Sequence, residues 1–191
     1  MFSVLGIVAA SPLLIAVAFL VKKEDGGPVF YRGARVGKGG NIFRILKFRT
    51  MEVNAEKIGG ASTADDDPRI TRIGKFLRKY KLDELPQLFN ILLGEMSFVG
   101  PRPQVVSDVA LYTEEERAIL SVLPGITDYA SIQFHNEGEI LKGHPDPDRA
   151  YMKLIRPEKI RLQLEYVRTR SFILDMKILA ATAATLFATR R

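Results

Sequence analysis

From Phe2 to Val21 the chain carries twenty consecutive residues without a charged side chain. A helix of that length, at ~1.5 Å per residue, reaches about 30 Å, the thickness of a bilayer's hydrocarbon core. A cleaved signal peptide fits poorly, because no Lys or Arg precedes the run and the basic pair Lys22-Lys23 follows it. The same pair, by the positive-inside rule, keeps the bulk of the chain on the cytoplasmic side. Ser11-Pro12 sits near the centre of the run. Proline has no N–H and crowds the carbonyl four residues earlier, so a kink is expected there. A kinked apolar helix can enter one leaflet and return to the same face, and the Ser11 hydroxyl is placed to bond a carbonyl that Pro12 frees. On the residues alone, return and full span are equally open.

The opposite end is apolar in a different way. Phe172 to Ala188 is interrupted by Asp175, Lys177, Thr182 and Thr185. Charges inside the run argue against a span and for an amphipathic helix lying in the interface, closed by Arg190-Arg191. An ordinary C-terminal helix packed on the domain is the alternative. These ends divide the 191 residues into a membrane helix (1–23), a cytoplasmic domain (24–170) and a C-terminal helix (171–191).

With 47% apolar and 26% charged residues, the middle can build a packed core. The absence of cysteine excludes disulfides, thiolate zinc sites and cysteine nucleophiles, and two histidines are too few for a histidine-rich metal cluster. Lys plus Arg outnumber Asp plus Glu by 28 to 22, a net charge of +6 that favours anionic partners. Neither a helix-turn-helix nor an RNA-recognition signature is present, so no nucleic-acid partner is expected.

Val29 to Arg32 and Ile42 to Arg49 read as two strands joined through Gly37, Gly39 and Gly40, a β-hairpin. Ala55 to Asp67 reads as a loop with a short helix, and Thr71 to Tyr80 as a helix with one basic face. A further helix should open near Asp83, with Pro86 in its first turn, and end at Leu93 before Gly94. Thr113 to Glu116 has the form of a capping box, and Arg156-Pro157-Glu158 opens a long charged helix toward the C-terminus. The expected class is α/β, mainly helical with a short β-hairpin, an N-terminal re-entrant membrane helix and amphipathic interfacial helices.

The densest chemistry lies in Asp67-Pro-Arg69, Arg78, Leu82-Asp-Glu-Leu-Pro-Gln87 and Gly100-Pro-Arg-Pro103. Asp83 and Glu84 are adjacent acids where a helix is expected to start, either favourable first-turn charges or part of a site. Together with the flanking arginines they suggest phosphate held beside a divalent ion.

Read with Lys47-Phe-Arg-Thr-Met51, Asp67 to Gly74, Leu82 to Asn90, Met96 to Pro103 and Pro124-Gly-Ile-Thr127, the ordered motifs resemble the bacterial sugar transferases, the monotopic phosphoglycosyl transferases of glycan assembly. The resemblance spans nearly the whole chain and favours a re-entrant helix broken at Ser11-Pro12. It implies transfer of a sugar 1-phosphate from a UDP-sugar to undecaprenyl phosphate at the bacterial inner membrane, with the catalytic part facing the cytoplasm. It further implies Asp83 as a nucleophile forming an aspartyl phospho-sugar with release of UMP, and Glu84 as the ligand of Mg²⁺. Arg102 is the expected phosphate clamp, with Lys47 and Arg49 facing the same site. Arg69 and Arg78 either bind phosphate or pair with Asp65, Asp66 and Asp67. Pro124, Gly125, Thr127, Asp128 and Tyr129 are expected around the nucleotide-sugar.

Where many family members follow Pro-Gly-Leu-Thr with Gly-Trp, this chain has Asp128-Tyr129. Tyr129 either stacks on uracil or sits in the core, and His135 is expected to be structural. Membrane lipid is an expected partner. A homodimer is allowed, since a small, shallow membrane protein gains anchoring area by pairing.

Overall fold

The computed structural model describes residues 2–60 and 62–188. In chain order the regular elements are α1 (Phe2–Asp25), β1 (Phe30–Val36), β2 (Ile42–Phe48), α2 (Arg72–Lys79), α3 (Gln87–Leu92) and β3 (Ser97–Val99). They continue with α4 (Val106–Val109), β4 (Gly125–Thr127), α5 (Tyr129–Gln133), α6 (Glu137–Leu141), α7 (Pro147–Leu154), α8 (Arg156–Thr169) and α9 (Phe172–Ala188). Helix makes up 56%, and β1 and β2 form a short antiparallel hairpin, so the mainly helical class holds. The chain groups into two compact units, one of residues 2–33, 45–93 and 137–151, the other of 34–44, 94–136 and 152–188.

In the first unit, α1 runs unbroken through Pro12. Pro12 offers no N–H to the Val8 carbonyl, and the Ser11 hydroxyl donates to that oxygen at 2.8 Å. Val17 and Val21 pack with Phe48 and Leu77 in the unit's core, while Val4, Leu5, Val8, Leu13, Ile15, Phe19 and Leu20 stay exposed. By length and composition this helix is able to cross a membrane. α2 begins where Thr71 accepts a hydrogen bond from the Gly74 N–H at 2.9 Å. A Cβ on Gly74 would lie 2.0 Å from the Thr50 carbonyl oxygen, so only glycine permits that approach.

The expected helix from Asp83 to Leu93 is divided. Leu82–Glu84 is a 3₁₀ turn entered through Lys81 at φ 55°, and the α-helix starts only at Gln87, after Pro86. The ring at Pro86 removes the N–H that an uninterrupted α-helix would bond to Leu82. Leu93 caps α3, and Gly94 follows at φ +76°, a conformation that suits glycine after a helix end.

In the second unit, β3 and β4 pair in parallel, Ser97 with Gly125 and Val99 with Thr127. These strands were not expected from the sequence: three residues are too short for alternation to show. The capping box is present, with Thr113 and Glu116 exchanging hydrogen bonds at 3.0 and 3.2 Å, but it opens a 3₁₀ segment rather than an α-helix. The charged helix begun at Arg156 stops at Thr169, because Arg170 turns extended, and α9 is a separate element.

The polarity of α9 is the reverse of a helix with a water-facing polar side. Asp175 accepts a hydrogen bond from Tyr166 at 2.9 Å, and the Thr182 and Thr127 hydroxyls lie 2.7 Å apart. Ile178 is buried with Val99 and Tyr166, while Phe172, Ile173 and Met176 face outward. Asp175 and Thr182 thus hold the helix to its unit, leaving an outer face that is largely apolar and carries Lys177. Arg190 and Arg191 lie outside the described residues.

Candidate functional site

The acidic pair belongs to the first unit. Asp83 is buried, 7% exposed, on the 3₁₀ turn, with Glu84 beside it. From β2, Lys47 donates to a Glu84 carboxylate oxygen at 2.8 Å. That reach is set one residue earlier: the Leu46 N–H donates to the Asn90 side-chain carbonyl at 2.9 Å, so α3 fixes the strand that carries Lys47. Burial pushes the Asp83 carboxyl above the ordinary carboxylate value. Lys47 draws it back down, Glu84 raises it further, and Arg78 and Lys81 lower it. Two cations on separate elements, Lys47 and Arg78, therefore favour the charged form of a carboxyl that its surroundings desolvate.

Arg78 lies in the last turn of α2 and acts on both Asp83 and Asp67. Among the described residues it makes no ion pair. Arg49 and Arg69 have other partners. Arg49 falls one residue beyond β2 and pairs with Asp25 at 2.6 Å, while donating to the Pro28 and Met51 carbonyls at 2.6 and 3.1 Å. It ties the exit of α1 to the strand rather than turning toward Asp83. Arg69 grips Asp67 through two guanidinium nitrogens and donates to the Ala55 carbonyl at 2.9 Å, closing the 55–69 loop. Asp65 and Asp66 serve the same loop through other contacts: the Asp65 N–H donates to the Gly138 carbonyl and Asp66 accepts from the Gly143 N–H.

Among the described residues no cluster of three or more acidic or histidine side chains gathers as a metal cage. Asp83 and Glu84 instead offer two adjacent carboxylates. That donor set fits a magnesium ion, which takes one or two carboxylates and completes its shell with phosphate oxygens and water.

The second unit holds the remaining candidates. Gly100 and Gly125 lie in contact where the β3–β4 pair ends: a Cβ on Gly125 would stand 2.1 Å from the Gly100 nitrogen. This contact sets Pro101-Arg102-Pro103 beside Pro124, and Arg102, Pro103, Gln104, Tyr112 and Pro124 line one shallow recess. The Arg102 guanidinium donates to the Ile126 carbonyl at 3.4 Å. Thr127 points to α9, and Asp128, 1% exposed, caps α5 by accepting from the Ser131 N–H at 2.6 Å. Tyr129, half-buried, packs at the edge of the Val99, Tyr166 and Ile178 cluster. His135 approaches the Ile132 carbonyl at 3.1 Å within its own turn, a local structural contact.

Asn90, Gln87 and Gln163 were not singled out by the sequence. Asn90 and Gln87 share the buried face of the Asp83 segment, at the i+4 and i+7 spacing that motif order alone does not reveal. Gln163 lies in a charged helix outside every motif.

The first unit thus carries a buried Asp83 beside a Lys47-bound Glu84, and the second an arginine held between two prolines. The chain belongs to the bacterial sugar transferase family, whose model matches residues 1–189. It is 38% identical to a UDP-N-acetylgalactosamine-undecaprenyl-phosphate N-acetylgalactosaminephosphotransferase of Aeromonas hydrophila, across 96% of this chain and 41% of that protein. It is also 38% identical to the UDP-glucose:undecaprenyl-phosphate glucose-1-phosphate transferase of Xanthomonas campestris, across 95% of this chain and 36% of the relative. The exopolysaccharide production protein ExoY of Sinorhizobium fredii is 40% identical over 72% of this chain and 67% of its own length. The chain thus spans about two-fifths of the first two of these relatives.

Proposed function

We propose that the chain transfers a sugar 1-phosphate from a UDP-sugar to undecaprenyl phosphate and releases UMP. The observation that carries this reading is the buried Asp83 with its charged form supported by Lys47 and Arg78. The names of the relatives, which act on undecaprenyl phosphate, supply the acceptor class.

In the first step an Asp83 oxygen attacks the phosphorus bearing the sugar. The new O–P bond makes an acyl phosphate, and the bond to the bridging oxygen breaks, its electron pair leaving with UMP. In the second, an oxygen of the lipid phosphate attacks the same phosphorus and Asp83 leaves as a carboxylate. No proton transfer is needed at Asp83, provided it is ionised, which is the role of Lys47 and Arg78. Glu84, beside Asp83, is the residue to hold Mg²⁺, which when bound offsets the repulsion between anionic nucleophile and diphosphate. Arg102 holds the diphosphate. Arg49 and Arg69 support the loops around the acidic pair instead of contacting substrate.

In the bilayer, α1 enters and returns on the cytoplasmic face of the inner membrane, with Lys22 and Lys23 at the headgroups. The test is UMP release from a panel of UDP-sugars, with and without undecaprenyl phosphate, in Mg²⁺-containing detergent. Lipid-dependent release from one donor is expected, and Asp83→Asn should lower it by about 10³-fold or more. Near-normal turnover by folded Asp83→Asn would remove the assignment of the nucleophile.

A further inference from the structure

We infer that Asp128 and Gln163 are positioning residues for Arg102, holding its peptide from both sides so that the guanidinium is set for a nucleoside diphosphate. The inference rests on the reading of Arg102 as a phosphate clamp. Pro101 and Pro103 have no N–H, so the Arg102 N–H is the backbone donor of that triplet. It donates to Asp128 Oδ2 at 3.3 Å. Gln163 Nε2 donates to the same carboxylate oxygen at 3.3 Å and reaches the Arg102 carbonyl at 3.5 Å. The other Asp128 oxygen takes the Ser131 N–H at 2.6 Å, which anchors the carboxylate to the start of α5.

Asp128 is 1% exposed and Gln163 fully buried. A carboxylate so placed is costly unless hydrogen bonds offset its desolvation, and here three donors converge on it. Removing one donor or the acceptor leaves buried groups unmatched, so the cluster resists rearrangement. The guanidinium end is referenced to the same segment through the Ile126 carbonyl. Backbone and side chain of Arg102 therefore take their position from residues 126–128 and α8. Asp128 thus acts through Arg102 rather than on the nucleotide. A pre-set clamp binds more tightly because less freedom is lost on binding.

The test is a double-mutant cycle on UDP affinity, by titration calorimetry of the full chain in Mg²⁺-containing detergent. Gln163→Met keeps the shape and removes the donor, and should weaken UDP about tenfold. Arg102→Ala should weaken it more, and the double variant should bind no worse than Arg102→Ala alone. Unchanged affinity in Gln163→Met, or a double loss equal to the product of the single losses, overturns the inference. Should Gln163→Met fail to fold, Asp128→Asn runs the same cycle, since an amide cannot accept from all three donors. Wild-type chain that binds UDP with this coupling but turns over no UDP-sugar overturns the transferase reading and leaves the positioning role standing. Turnover with an additive cycle does the reverse, and wild-type chain that binds no UDP overturns both.

Discussion

At Asp83, function and stability oppose each other. Burial raises its carboxyl above the ordinary 3.8, so the folded chain keeps this proton to higher pH than the unfolded chain does. Below about pH 3.8 both states are protonated and the group has no effect on folding. As pH rises through the raised folded value, the unfolded state gains hydration of a charge that the folded state must bury, and stability falls. Asp83→Asn removes that charge. It should therefore melt a few degrees above wild type near pH 8, with the gap closing in acid, as thermal unfolding across pH would measure. A lower melting temperature at every pH would mean that Lys47 and Arg78 more than offset the burial. The acidic pair was legible in the sequence because two adjacent acids among fixed prolines stand out. Which cations serve it was not: Lys47 and Arg49 look alike on paper, and only the end of β2 at Phe48 sends Arg49 to Asp25.

At the scale of elements, periodicity served where segments were long. The hairpin, α2 and the start of α8 follow from alternation and helical spacing, α2 close to its expected bounds, while β1 runs on to Val36 and α8 stops short at Thr169. β3 and β4 did not, because their pairing depends on Gly100 and Gly125 meeting across 25 residues of sequence, a close approach that no local pattern encodes. In α1 one expected bond is present, the Ser11 hydroxyl serving the carbonyl that Pro12 leaves unpaired, whereas the expected break at Ser11-Pro12 is not: the helix runs through it. That repair lowers the cost of proline in lipid and lets the helix persist as one element. A test of its path uses the absence of cysteine, which makes Val4→Cys the chain's sole thiol. A helix that returns places this residue on the side of Lys22, so a membrane-impermeant maleimide should label it in inverted vesicles and not in right-side-out ones. The opposite pattern would establish a span.

At the scale of the whole molecule, two forces attach the chain to a membrane, and their sizes differ. Among the described residues, seven large apolar side chains on α1 are exposed: Val4, Leu5, Val8, Leu13, Ile15, Phe19 and Leu20. At a low value of ~1.5 kcal/mol each, burying them in lipid contributes roughly 10 kcal/mol. The basic groups of the same unit that face anionic headgroups in this reading are Lys22 and Lys23 in the last turn of α1 and Arg72, Lys75 and Lys79 on α2. Near the surface each contributes about 1 kcal/mol, so together they supply about half as much. Salt at about 1 M shortens the screening length to roughly 3 Å and removes most of that electrostatic part, while leaving the apolar part intact or stronger. The chain should therefore stay in the membrane pellet through a high-salt wash and leave it only in detergent. Quantitative release by salt alone would mean that α1 is not in the bilayer, and that the +6 charge holds the protein at the surface by itself.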